Sequence, residues 1–105
     1  MTKQKRLELH EILVETLGSQ NVYFQPPSTV KMKYPCIVYS RSEVNYKTLF
    51  ANGSIYSLRK AYKVTLIDPD PDSEITDKLV HLPYCFYERS FPAENLNHDV
   101  FTLFY

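Results

Sequence analysis

The spacing of apolar residues at the start of the chain predicts an amphipathic helix. Side chains suited to one buried face recur at intervals of three and four residues, at Leu9, Ile12, Leu13, Thr16 and Leu17. Glutamates occupy the opposite face, and Gly18 is placed to end the helix because glycine readily adopts the conformation found just after a helix. We therefore predict a helix over Lys3–Leu17.

Three segments after this helix have the composition and alternation of β-strands. The first, residues 21–25, is short and aromatic and is stopped by Pro26. The second begins at Cys36 and reaches about Val44, and the third covers residues 55–68. The third carries apolar residues on both faces late in its length, which is typical of a strand in the middle of a sheet.

The chain between the second and third strands predicts the tip of a long hairpin. Residues 45–54 have no consistent period, and they contain Asn52 and Gly53, a pair strongly favoured in tight hairpin turns. Tyr46, Leu49 and Phe50 lie near this tip, and on a solvated loop they would be costly. Two interpretations remain open: these side chains fold back onto the sheet, or they contact a partner.

A second helix and two further strands complete the predicted fold. Asp70 is placed to cap the helix, Pro71 fits its first position, and Pro83 stops it. The last two strands cover residues 84–91 and 99–105, and the final one is apolar on both faces, so it is either buried in the sheet or paired with another copy. The prediction is a single α+β domain over residues 1–105, in the order α-β-β-β-α-β-β. It is a mostly antiparallel sheet of about five strands with two helices packed on it.

Candidate chemistry is sparse in this sequence. Asp68, Asp70 and Asp72 alternate along the chain, but a calcium loop would need a glycine and a glutamate at positions where Ser73 and Leu79 stand. No Cys or His pair has the spacing of a zinc site, and two glycines cannot build a phosphate-binding loop. We therefore expect no enzyme activity, no catalytic residue, no cofactor and no metal.

Composition and charge add two expectations about location and partners. Cys36 and Cys85 are expected to be free thiols packed as small apolar groups in a reducing cytoplasm. Lys/Arg and Asp/Glu balance at twelve each, which argues against tight nucleic-acid binding, and no stretch is apolar enough to span a membrane. The balance is uneven along the chain, however, because residues 1–67 carry a charge of +6 and residues 68–105 a charge of −6.

Two parts of the chain resemble a family of bacteriophage proteins. The first helix leads into residues 21–27 (NVYFQPP) and then 34–39 (YPCIVY), a pattern that resembles the small tail-completion and head-to-tail joining proteins of long-tailed phages. The block that runs from residues 62–68 (YKVTLID) through 71–75 (PDSEI) to 95–102 (NLNHDVFT) is similar to a subgroup of siphovirus tail proteins. Together these stretches cover most of the chain.

This resemblance implies a structural virion protein of the phage neck, assembled in the host cytoplasm. Such a tail terminator forms a homo-oligomeric ring, expected to be a hexamer, that caps the tail tube and joins the tail to the head connector. The family has no catalytic residues to carry over. Two alternatives remain: a head-completion protein on the portal side, and a small non-structural phage protein that acts as a monomeric binder.

The charge distribution then suggests how copies contact one another in a ring. A basic strand and an acidic helix start on adjacent subunits would set their register, while aromatic burial supplies affinity. The residues of this predicted interface are Arg59, Lys60, Lys63, Asp68, Asp70, Asp72 and Asp77. The hairpin tip, with Tyr46, Leu49, Phe50, Asn52 and Gly53, is predicted to contact the tail tube or the connector. A second explanation remains open, in which the acidic residues only stabilise the start of the second helix.

Overall fold

Five strands form one mixed sheet, and both helices pack on the same face of it. The computed structural model describes the backbone of residues 3–51 and 54–105, and the side chains of residues 4–42 and 59–105. The elements, in chain order, are α1 Lys3–Leu17, β1 Val22–Phe24, β2 Cys36–Ala51, β3 Ser54–Asp68, α2 Glu74–Val80, β4 Cys85–Ala93 and β5 Leu96–Phe104. Neither of the two helices described has the length and apolar character that crossing a membrane requires.

The strand order in the sheet is β1-β2-β3-β5-β4, which places β3 in the middle. β1 runs parallel to β2, and the other neighbouring strands are antiparallel. The predicted α+β domain with a mostly antiparallel five-stranded sheet is therefore confirmed, as is the central position of β3. On the face without helices, Ile67 is also buried, at 7% exposed, whereas Lys63 is exposed.

The core lies between the helices and the central strands. Alternation along β3 points Tyr62, Val64 and Leu66 toward the helices, and the same rule selects partners from β2 and β5. α1 contributes leucines at the spacing that the sequence predicted, and α2 contributes Leu79. The fully or almost fully buried members are Leu9, Leu13, Ile37, Tyr39, Tyr62, Val64, Leu66, Leu79, Phe101 and Leu103.

The prediction that Asp70 caps the second helix is wrong. Ser73 is the cap, with its hydroxyl accepting a hydrogen bond from the Ile75 N–H. The aspartates upstream form turns of their own, because Asp68 Oδ1 accepts from the Asp70 N–H at 2.8 Å and Asp70 Oδ1 from the Asp72 N–H at 2.9 Å. Local side-chain hydrogen bonds thus hold this segment in a loop before the helix begins.

Strand lengths also differ from the prediction. β2 continues to Ala51 and pairs there with Ser54 of β3, so residues 45–51 belong to the strand rather than to a loop. The turn between β4 and β5 is two residues long, since Glu94 and Asn95 have φ angles of 54° and 63° and join Ala93 to Leu96. Positive φ at both positions is the geometry of a type I′ turn, which matches the twist of a hairpin.

The apolar last strand is covered within the molecule. β5 lies between β3 and β4, and Val100, Phe101 and Leu103 are each no more than 2% exposed. Of the two explanations that the sequence left open, burial in the sheet is therefore the correct one. The edge position on that side belongs to β4.

A histidine in α1 is tied to the core by a tyrosine from the sheet. The Tyr39 hydroxyl and His10 Nδ1 share a hydrogen bond of 2.7 Å, and the two ring centroids are 5.6 Å apart. Burial lowers the pKa of His10 below its usual 6.5, and Arg6 lowers it further, while Glu11 opposes the shift. The folded protein therefore binds a proton at His10 more weakly than the unfolded chain does.

We expect this histidine to make folding stability pH-dependent in one direction. Its stabilising effect is fully present above pH 6.5, the usual pKa, and declines as the pH falls below it, because the unfolded chain takes up the proton first. Urea unfolding at about pH 7.5 and about pH 5.5 should show a His10→Asn effect that shrinks at the lower pH. His81→Asn, at an exposed histidine, is the matched control. An equal His10→Asn effect at both pH values would contradict the assignment.

Candidate interaction surfaces

The outer strand β4 presents three large aromatic side chains to solvent. Phe86 is 52% exposed, Tyr87 48% and Phe91 40%, and every residue from Phe86 to Pro92 is exposed. An edge strand of nine residues with this much apolar surface can pair with another chain. The edge is therefore the first candidate interaction surface.

Each of these aromatic rings is supported from behind by a residue of β5. Tyr87 meets Phe101 edge-on, with ring centroids 5.6 Å apart, and Phe86 meets Phe104 at 6.1 Å. Phe91 stacks on His98 at 4.9 Å with the ring planes 9° apart. Rings held in this way lose little freedom when a partner covers them, which favours binding.

The second candidate surface is a two-stranded arm formed by residues 46–51 and 54–60. β1 pairs with β2 at Ile37, Val38 and Tyr39 alone, and the β5 ladder ends at the Ala61–Phe104 pair, followed by one hydrogen bond from the Tyr105 N–H to the Lys60 carbonyl. Beyond these points β2 and β3 pair with each other. The molecule measures 49 × 26 × 24 Å along its principal axes.

An irregularity in the ladder separates the arm from the body of the sheet. Arg41 pairs with Tyr62 and Tyr46 pairs with Lys60, so four residues of β2 stand opposite Ala61. Bulges of this kind bend a strand and increase its twist. The side chains of Tyr46, Leu49 and Phe50, and the predicted turn at Asn52 and Gly53, lie outside the described residues, so their predicted contact with a partner stays a prediction.

The basic residues of the predicted interface lie in separate places. Lys63 lines a groove of about 550 Å³ together with Arg41, Arg89 and Glu88. Arg59 instead lines an apolar pocket of about 150 Å³ that also contacts Leu9 of α1. Arg59 and Lys63 therefore line different cavities.

Arg59 is held by an aromatic ring at the edge of its pocket. Its guanidinium carbon lies 4.2 Å from the centre of the Tyr84 ring, a cation–π contact. Its Nε is buried and has no hydrogen-bond partner within the described part of the chain. Lys60 is half-buried, and its carbonyl receives the Tyr105 N–H.

The acidic residues of the predicted interface differ in accessibility. Asp68 is 7% exposed, and its carboxylate holds the following turn. Asp70, Asp72 and Asp77 are exposed. An ion pair across an interface is open to these three side chains, whereas Asp68 acts on the conformation of its own loop. The interface role of the whole set stays a prediction.

Cys36 and Cys85 are free and buried, and burial raises the pKa of each thiol to about 11. Cys36 pairs with Ile67 and Cys85 with Leu103, on different strands of the sheet. Among the side chains described, no three His, Cys, Asp or Glu residues lie together in a way that could hold a metal ion.

The sequence pattern does not identify the three exposed aromatic residues of β4 as an interaction surface. Residues 86–91 (FYERSF) have the composition of an ordinary strand, and a register shift between Tyr87 and Arg89 breaks the alternation that would show which side chains face solvent.

Comparison of the chain with protein-family models, with curated proteins and with solved structures found no match.

Proposed function

We propose that this protein is a ring-forming structural subunit of a bacteriophage neck, a tail terminator that caps the tail tube and joins it to the head connector. The observation that carries the proposal is the arm, which extends beyond the strands that would cover it in the same molecule. The sequence resemblance to tail-completion proteins supplies the biological setting.

A ribbon of two β-strands, such as this arm, is only marginally stable by itself in water. Three or more strands, or packing against another element, are needed to hold it. Here two strands continue past the sheet, and no third strand pairs with them among the residues that the structure describes. A protein that builds such an arm gains most when a partner covers it, as neighbouring copies in a ring and a docked tail tube would do.

The exposed β4 aromatics fit the same role. Phe86, Tyr87 and Phe91 each contact a ring on β5 and are 40–52% exposed, and aromatic residues are enriched at protein–protein interfaces. Each copy thus offers two different surfaces, the arm and the β4 edge. Contacts between unlike surfaces of identical subunits are heterologous and close into a ring when the rotation between copies permits.

The proposal is tested by the mass of the assembly and by its binding partner. We expect light scattering to give a multimer of the purified protein, alone or after mixing with tail tubes that lack it, and electron microscopy to show a ring at the tube end. A protein that stays monomeric under both conditions would overturn the proposal. Binding to isolated heads rather than to tails would instead indicate the head-completion role.

A further inference from the structure

We propose that the ring is built by β-sheet extension, in which β4 of one copy pairs antiparallel with the outer edge of β2 of the next copy. This inference rests on the proposed function and names the surface that joins the subunits. It differs from an interface made of charged side chains, because backbone hydrogen bonds would carry most of the specificity of alignment.

The direction of the strands supports this pairing. β4 and β3 are both antiparallel to β5, so β4 runs parallel to β3, while β2 runs antiparallel to β3. When two copies are placed side by side with their helices on the same face, β4 of one copy therefore meets β2 of the other in antiparallel orientation. Antiparallel ladders are slightly more stable per residue than parallel ones.

The two edges also match in extent. β1 covers β2 at residues 37–39, and the Gln25 side chain reaches the Arg41 N–H at 3.1 Å, so this part of the edge is already occupied. Beyond the irregularity, residues 46–51 of β2 pair with β3 on one side. On β4 the exposed residues before Pro92 are Phe86–Phe91, also six. At about 3.3 Å per residue, both stretches span roughly 20 Å.

Heterologous pairing uses both edges of every copy. If β4 paired instead with β4 of a second copy around a two-fold axis, the contact would close as a dimer and leave both β2 edges open. Open edges are a liability for further association. A ring in which β4 meets β2 pairs both β4 and the stretch of β2 beyond β1, and it supplies the arm with a third strand, which no other described segment of the same molecule provides.

The ladder identifies which backbone groups of β4 point outward. Phe104 donates its N–H to the Tyr84 carbonyl, and the two-residue turn closes on the Ala93–Leu96 pair. Hydrogen-bonded and non-hydrogen-bonded pairs alternate along an antiparallel ladder. Counting along β5 in steps of two, from Phe104 or from Leu96, therefore makes Arg89–Val100 a hydrogen-bonded pair. The next pair, Ser90–Asp99, is then not hydrogen-bonded, so the Ser90 N–H points to the open side.

Ser90→Pro is the variant that separates this interface from the fold. Proline at position 90 removes an outward N–H and places its ring in the path of an incoming strand, while the β5 ladder keeps its hydrogen bonds. Pro92 already occupies an equivalent outward position two residues later, in the Pro92–Asn97 pair. The monomer should therefore fold, which cooperative thermal unfolding checks.

We expect Ser90→Pro, but not Ser90→Ala, to weaken the assembly of the ring. We expect the concentration at which the ring dissociates to rise by at least about tenfold, the consequence of one lost and sterically blocked backbone contact per interface. Ser90→Ala, which keeps the N–H, should assemble as the parent protein does. A folded Ser90→Pro protein that assembles normally would overturn β4 pairing but leave the proposed ring intact, whereas a parent protein that never assembles would overturn the proposed function.

Cysteine cross-linking provides an independent test of the partner strand. Ser90→Cys is combined in turn with Lys47→Cys, Thr48→Cys or Leu49→Cys, which lie on the open stretch of β2. We expect at least one combination to give a ladder of disulfide-linked multimers on mild oxidation, and each single variant to stay uncross-linked. The native cysteines are buried and do not compete. Dimers from Ser90→Cys alone would show two-fold β4 pairing and overturn the inference, as would no cross-link in an intact ring.

Discussion

Replacement of Phe101 by alanine is expected to lower the free energy of unfolding by about 3 to 5 kcal/mol, the usual cost of removing a large aromatic side chain from a packed core. Phe101 is fully buried in β5, next to Val64 of β3. It also supports the Tyr87 ring of β4 at a centroid distance of 5.6 Å. The cavity left behind would loosen the contact between the central strands and the edge strand together.

The measurement is equilibrium unfolding in urea, with thermal unfolding as a second probe. We expect the midpoint temperature of Phe101→Ala to fall by more than about 12 °C, given the size of the domain. Phe86→Ala is the matched control, because Phe86 lies on the neighbouring strand but is 52% exposed, and its loss should cost about 1 kcal/mol or less. Equal destabilisation by the two variants would contradict the placement of the core on the helical face of the sheet.

Replacing residues 45–58 with the dipeptide Asn-Gly, which places residues 44 and 59 opposite each other in continuation of the Arg41–Tyr62 pair, is expected to abolish ring formation while the body of the protein still folds. The core side chains of β2 and β3 lie outside this segment, from Ile37 to Tyr39 and from Tyr62 to Leu66. Asn-Gly favours the tight turn that would join the shortened strands. The variant should therefore unfold cooperatively and show the light-scattering mass of a single chain.

The control for this deletion removes exposed apolar surface elsewhere. Val80 lies on α2 and is 46% exposed, so Val80→Ser lowers surface hydrophobicity without touching the arm or the β4 edge. We expect Val80→Ser to assemble as the parent protein does. If the deletion variant still forms rings, the arm is not part of the subunit contact, and the function proposed from it would lose its main support.

Most secondary structure in this chain could be predicted because local physics favours the same elements that the fold uses. The leucine spacing of α1 and the alternation along β3 each match a buried face in the structure. The cap of α2 was predicted three residues too early, because Asp70 and Ser73 are both good capping residues and the choice depends on the turns at Asp68 and Asp70. Boundaries of this kind depend on competing hydrogen bonds, which composition alone does not rank.

The candidate surfaces were harder to predict than the elements. The sequence indicated that β5 is either buried in the sheet or paired with another copy, because both of its faces are apolar. In the structure β5 lies between β3 and β4, so β4 is the strand that shields it on the outer side. Strand order decides which of two neighbouring strands lies at the edge, and the chain between them does not encode that order locally. The exposure of Phe86, Tyr87 and Phe91 follows from this order and from the register shift after Tyr87.

The sequence by itself therefore determined the α+β class, the element order, the central position of β3 and the buried face of α1, because helical and strand periods are local properties of the chain. The tertiary structure alone decided that β4 is the edge strand, that the β2–β3 hairpin continues as an arm, and that Arg59 and Lys63 line different cavities. Each of these depends on which strands lie side by side, and strand pairing joins residues far apart in sequence.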